Sequence, residues 1–143
     1  MRKFVYPATI EVDTAGFHLV TFPDVPEAGT DAASREEALE EAPDCLIAAL
    51  GGYMAAKQAI PQPSKTKRGQ VRVVLPILAT AKLALYEAMR TGNVTNIELG
   101  RRLGISEGAV RRLVDLDHRS HIGQIESALS ALGHRMVIEI HAA

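Results

Sequence analysis

The chain has 143 residues, with 16 Lys and Arg, 17 Asp and Glu, a formal net charge of −1 and a single cysteine. That length allows one or two small domains, and one cysteine excludes an internal disulfide and any cysteine-cluster zinc site. There is no leader pattern and no apolar run near the ~18 residues a membrane span needs, so the expectation is a soluble, cytoplasmic chain with no membrane partner. The near-neutral total conceals an asymmetry: residues 1–60 carry net −6 and residues 61–143 net +5. Such a division suggests a polyanion for the back half and a basic partner for the front.

Residues 4–12 alternate, with Phe4, Tyr6, Ala8, Ile10 and Val12 on one face, which predicts a half-buried strand; Pro7 implies an edge or a bulge. Asp13 to Gly16 reads as a turn into a second strand over 17–22, so the two make a hairpin. Pro23 to Pro26 is a rigid loop, and Ala28 to Ala32 supplies a short third strand. Ser34 and Glu37 have capping-box spacing for a helix whose inward positions are Ala38, Leu39, Ala42, Leu46, Ala49, Leu50 and Tyr53. Pro43 falls inside it. A mid-helix proline removes a hydrogen bond and crowds the Leu39 carbonyl at roughly 3 kcal/mol, which predicts a kink or a break. Cys45 sits in this apolar run and reads as a buried thiol.

Residues 61–70 are rich in Pro and Lys and read as a linker between a unit at 1–60 and a unit at 71–143. Val71 to Leu75 looks like a strand, and a helix runs from Pro76 through Met89 to a stop at Thr91-Gly92-Asn93. Residues 96–115, NIELGRRLGISEGAVRRLVD, then carry the spacing of a helix-turn-helix. Thr95 and Glu98 cap the first helix, and a small residue at Gly100 lets the two helices cross closely. Gly104 can take the positive φ of a tight stop, and Ser106 caps the second helix. Leu99, Ile105, Val110 and Leu113 are expected to form one small core. A last helix spans 122–132. Residues 135–141 alternate again as a strand, so two short strands flank the helical unit. They can pair within the chain, or with a second copy and so build a dimer, two of which can form a tetramer.

Geometry places Ser106, Glu107, Gly108, Arg111 and Arg112 on the outward, DNA-facing side of the second helix, with Thr95 at the start of the first. Arg111 or Arg112 can fork onto a guanine edge, worth about 1–3 kcal/mol of discrimination. Glu107 repels phosphate unless it accepts from a cytosine amine or pairs with Arg111 four residues on. Glu11, Asp13, Asp24 and Asp31 lie on or near the sheet, but their positions do not favour the convergence that two-metal hydrolysis requires. Asp115, Asp117, His118 and His121 hint at a metal set, and a polar loop is the better reading. Nothing calls for a cofactor.

Tyr6, Ile10-Glu11, Gly16-Phe17, Phe22-Pro23-Asp24, Thr30, Glu37-Ala38 and Ile60-Pro61-Pro63-Ser64 together resemble the HicB family of antitoxins, over Phe4 to about Ser64. Pro43 departs from the unbroken helix expected there. The resemblance implies an α+β protein: a three-stranded antiparallel sheet with a packed helix, a partial ribonuclease H-like core, followed here by the helical unit with its flanking strands. It implies a non-enzymatic antitoxin that occludes a small HicA-type mRNA-cleaving toxin and represses its own operon by binding operator DNA. On that reading Phe22, Pro23, Asp24 and Glu27 are candidate toxin contacts, although Phe22 fits a core position equally well. The alternatives are a stand-alone helix-turn-helix repressor whose front half senses a ligand, and a nuclease.

Overall fold

A computed structural model describes residues 3–143. The chain divides into two compact units, residues 1–77 and 78–143.

The first unit is a four-stranded antiparallel sheet covered on one face by a helix. Its strands are β1 (Val5–Val12), β2 (His18–Thr21), β3 (Gly29–Ala32) and β4 (Val71–Val74), in the order β3-β2-β1-β4. The β1–β2 hairpin closes at Asp13, whose Oδ1 accepts the N–H groups of Ala15 and Phe17, both at 2.9 Å. This is the side-chain-to-backbone bonding that makes Asp a turn residue. The expected three-stranded sheet is therefore corrected to four. The 71–75 segment does not flank the helical unit; it pairs with β1, Tyr6 opposite Val73. A strand of four residues cannot satisfy its own ladder, and the half of β1 beyond the reach of β2 offers the open edge it needs. The registers also explain Pro7. β2 pairs Thr9 to Val12 and β4 pairs Val5 to Ala8, so at Pro7 the strand has a neighbour on one side only and a missing donor is tolerated.

Helix α1 (Arg35–Ala55) lies on the sheet and buries Ala38, Ala42, Leu46 and Leu50, a stripe of strict four-residue spacing. Ser34 Oγ accepts the Glu37 N–H at 3.2 Å, while the Glu37 carboxylate takes the Ala33 N–H at 3.3 Å. The helix runs unbroken through Pro43, where a kink or a break was expected, and on through Gly51-Gly52. Leu39, whose carbonyl loses its donor to Pro43, is 39% exposed and not inward-facing. The buried stripe holds the helix on course despite that one lost hydrogen bond. Cys45 is half-buried and its Sγ donates to the Ala42 carbonyl at 3.2 Å.

The segment after α1 is fastened to the sheet unit at two places. Tyr6 donates its hydroxyl proton to the Pro61 carbonyl at 2.7 Å, and Asp24 Oδ2 accepts both the Ser64 N–H (2.9 Å) and hydroxyl (3.0 Å). Residues 61–64 thus belong with the sheet and are not free linker.

The second unit holds α2 (Ile77–Thr91), α3 (Asn96–Leu103), α4 (Glu107–Leu113) and α5 (Ile122–Ala131) around one core of Leu85, Met89, Leu99, Val110, Ile125 and Leu129. Residues 134–143 form neither helix nor strand, which corrects the expected C-terminal strand. Met136 packs on the core, whereas Val137, Ile138 and Ile140 stand 73%, 58% and 90% exposed. Without a ladder partner within this unit the alternating pattern does not make a strand.

Candidate nucleic-acid interface and acidic head

The α3–α4 pair is built by local chemistry. Thr95 accepts the Glu98 N–H at 3.1 Å and Ser106 the Ala109 N–H at 3.1 Å, so both helix starts are capped by a hydroxyl. Gly104, at φ +69°, makes the left-handed stop of α3. Gly100 is the point of closest approach. Its carbonyl accepts the Ile105 N–H at 2.9 Å, and a Cβ there would lie 2.7 Å from the Ile105 carbonyl oxygen. Only glycine lets the turn fold back so tightly.

Of the expected inter-helix core, Leu99, Val110 and Leu113 are buried, but Ile105 is 39% exposed. Its backbone is committed to Gly100, and its side chain lines a shallow groove of about 260 Å³ with Leu103, Ala109 and Gln124. Thr95, Ser106, Glu107, Arg111 and Arg112 are exposed and Gly108 is half-buried. Arg111 pairs with Glu107 at 2.9 Å, the i,i+4 bridge that offsets the acid on this helix. On α3, Arg101 and Arg102 both bond Glu98, at 2.7 and 2.9 Å, and hold its carboxyl down to about 2. The Arg101-Arg102 doublet, three and four residues after a glutamate, was the sequence signal for this cluster.

Lys82 was missed. It is fully buried, and its ammonium donates to the Arg112 and Asp115 carbonyls and to Ser120 Oγ. The available signal was a lysine inside the apolar run ATAKLAL. The residues weighed as a metal set are bonded otherwise: Asp115 Oδ1 accepts the Asp117 N–H, and His118 Nδ1 meets Ser120 Oγ. Among the described residues no group of three or more His, Cys, Asp or Glu is placed to hold a metal ion.

In the sheet unit, Phe22 is 2% exposed and belongs to the core, which removes it from any binding surface. Pro23 and Glu27 are exposed and Asp24 is half-buried. Their carboxylates are partly engaged, Asp24 with Ser64 and Glu27 with the Tyr53 hydroxyl at 2.7 Å. The latter bond raises the Tyr53 pKa. Asp13 is taken up by its turn, and Glu11 and Asp31 lie exposed on β1 and β3. The unit boundary also redistributes charge. Lys65, Lys67, Arg68 and Arg72 fall in the sheet unit, leaving it at net −2 and the helical unit at +1. What survives of the asymmetry is local: Glu36, Glu37, Glu40, Glu41 and Asp44 stand exposed along α1.

No helix among the described residues is long and apolar enough to cross a membrane. The family model described as "HicB_like antitoxin of bacterial toxin-antitoxin system" matches residues 5–84, which takes in all four strands and α1. Antitoxin HicB 1 of Photorhabdus laumondii is 38% identical over 140 residues, 98% of this chain and 89% of that protein. Antitoxin HicB of Escherichia coli is 32% identical over 131 residues, covering 92% and 95%. Antitoxin HicB of Pseudomonas fluorescens is 36% identical over 121 residues, covering 84% and 83%. With more than half of its length inside the family model, and with relatives matched nearly end to end, this chain belongs to the HicB-like antitoxin family.

Proposed function

We propose that this antitoxin occludes a small basic HicA-type ribonuclease with its sheet unit and represses its own operon through its helical unit, as a homodimer on operator DNA. The observation that carries the DNA-reading half is the α3–α4 pair, a helix-turn-helix whose exposed second helix presents Ser106, Glu107, Gly108, Arg111 and Arg112 over a buried Leu99–Val110 contact. In this motif the second helix enters the major groove while hydroxyls and free N–H groups at helix starts, here Thr95 and Ser106, meet phosphate. Dimerisation is supported by residues 134–143, which present exposed Val137, Ile138 and Ile140 and an unladdered backbone. Two such segments paired about a twofold axis would set two recognition helices roughly 34 Å apart, one turn of duplex.

The toxin-blocking half is supported by family membership and by the acidic outer face of α1, where Leu39 is exposed among the carboxylates. A protein that engages RNA phosphates is basic, and opposite charge speeds encounter and sets register. Pro23, Asp24 and Glu27 border the same unit and remain candidate contacts; no catalysis is involved. The test is Arg111→Ala with Arg112→Ala in the full chain. The double variant is expected to lose retention on its own promoter and to keep protecting cells from the toxin. A folded double variant that fails to protect would refute the division of roles.

A further inference from the structure

Lys82 has three ammonium protons and three acceptors. It donates to the Arg112 and Asp115 carbonyl oxygens, both at 2.7 Å, and to Ser120 Oγ at 2.8 Å, with no exposed surface left. The two carbonyls lie at the end of α4 and just beyond it, where a cation is favoured; each also accepts a backbone N–H, Arg112 from Asp115 at 3.3 Å and Asp115 from His118 at 3.2 Å. Ser120 Oγ also bonds the Arg112 carbonyl at 3.3 Å and meets His118 Nδ1 at 3.2 Å. Burial pushes the lysine pKa down, and the nearby Asp115 carboxylate opposes that shift. Taking a charge out of water is unfavourable, and a leucine or methionine would fill the same space without that cost. What the ammonium adds is a common anchor for backbone 30 and 33 residues along the chain and a hydroxyl 38 residues along. His118 and Arg119 are exposed on the stretch so anchored, immediately after the helix that faces DNA.

We propose that Lys82 is the positioning residue of the DNA-reading surface: it fixes the end of α4 and the 114–121 connection so that Arg119 meets a phosphate in register with α4. This rests on the DNA-reading function above. Lys82 itself touches no DNA; it acts through backbone carbonyls. A lysine that merely stabilises the unit would change the fraction folded and leave the number of neutralised phosphates alone. A positioning lysine changes that number, and the number is readable as the slope of log affinity against log salt.

The experiment uses the full chain, as wild type, Lys82→Met, Arg119→Ala and the double variant. The probe is a synthetic duplex covering the DNA immediately upstream of its reading frame. Lys82→Met is expected to lower the salt slope by about 1, as Arg119→Ala does, and the double variant by no more than Arg119→Ala alone. Without DNA, amide exchange over 112–121 is expected to quicken about tenfold, with the core amides of Leu99 and Ile125 unchanged. A folded Lys82→Met with the wild-type slope overturns the proposal. Should Lys82→Met not fold, Ser120→Ala keeps the lysine and removes one acceptor; wild-type slope and wild-type exchange there overturn it equally. A wild type that shows no salt-dependent binding removes the DNA-reading function, and this proposal with it. A wild type that binds while the variant keeps its slope removes the role of Lys82 alone.

Discussion

Alanine at Gly100 and alanine at Gly108 should move the helical unit in opposite directions. A Cβ built at Gly100 lies 2.7 Å from the Ile105 carbonyl oxygen and 3.5 Å from Val110 Cγ2. Ordinary contact begins near 3.4 Å, so the turn has to recede by about 0.7 Å. That turn is held by the Ile105 N–H to the Gly100 carbonyl at 2.9 Å, which leaves it little freedom to move. Overpacking costs about 1–3 kcal/mol, and a clash with a backbone oxygen that cannot swing away falls in the upper part of that range, about 2–3 kcal/mol; offset by about 1 kcal/mol of better helix propensity, the net loss is about 1–2 kcal/mol. At Gly108 the nearest atoms are 3.9 Å away, so only propensity acts and the unit gains up to about 1 kcal/mol. The two variants then differ by about 1–3 kcal/mol, or roughly 5–140-fold in the opening equilibrium. Because the chain has two units, a single melting curve is not a two-state measurement, and the assay is native-state hydrogen exchange at Leu99 and Val110. Exchange in Gly100→Ala that is no faster than in wild type would refute the close-approach argument.

Two further outcomes follow from bonds described above. Glu98 has its carboxyl lowered from 4.5 to about 2 by Arg101 first and Arg102 second, so its contribution to stability is present above about pH 4.5 and is lost as pH falls toward 2. The stability advantage of wild type over Glu98→Gln, followed by α3 exchange, should shrink across that window; an advantage that persists at the acid end would exclude the carboxylate as its source. Asp24→Ala removes both bonds that hold Ser64, so trypsin should cut at Lys65 and Lys67 several-fold faster while the sheet stays intact. Equal cleavage rates in variant and wild type would mean that the Tyr6–Pro61 bond holds the segment alone.

What was legible in the sequence was mostly local. Ser34, Thr95 and Ser106 cap the helices they precede, Gly104 is left-handed, and Gly100 sits at the helix crossing, because each depends on atoms within a few residues. The turn that Asp13 opens and the Glu107–Arg111 pair are of the same kind. The misreadings involve partners far along the chain. Val71 to Val74 has strand composition, but nothing nearby shows that it pairs with Val5 to Ala8. Phe22 and Ile105 have similar hydrophobic character, and only packing decides that one is core and the other is not. Pro43 was weighed by its intrinsic penalty, which the buried stripe of Ala38, Ala42, Leu46 and Leu50 overrides. Lys82 was invisible as an anchor because its acceptors are backbone groups, which carry no residue signature.

The late arrival of β4 constrains how this gene can be divided. A fragment ending at residue 60 would keep the helix and three strands yet leave Val5 to Ala8 without the neighbour that completes their ladder, an open template for any passing extended segment. A graft of the helical unit beginning at 71 would carry an orphan strand into its new host. Fusions, truncations and recombination that respect the architecture must join beyond Leu75, even though the polar, proline-rich stretch before it looks like the natural seam.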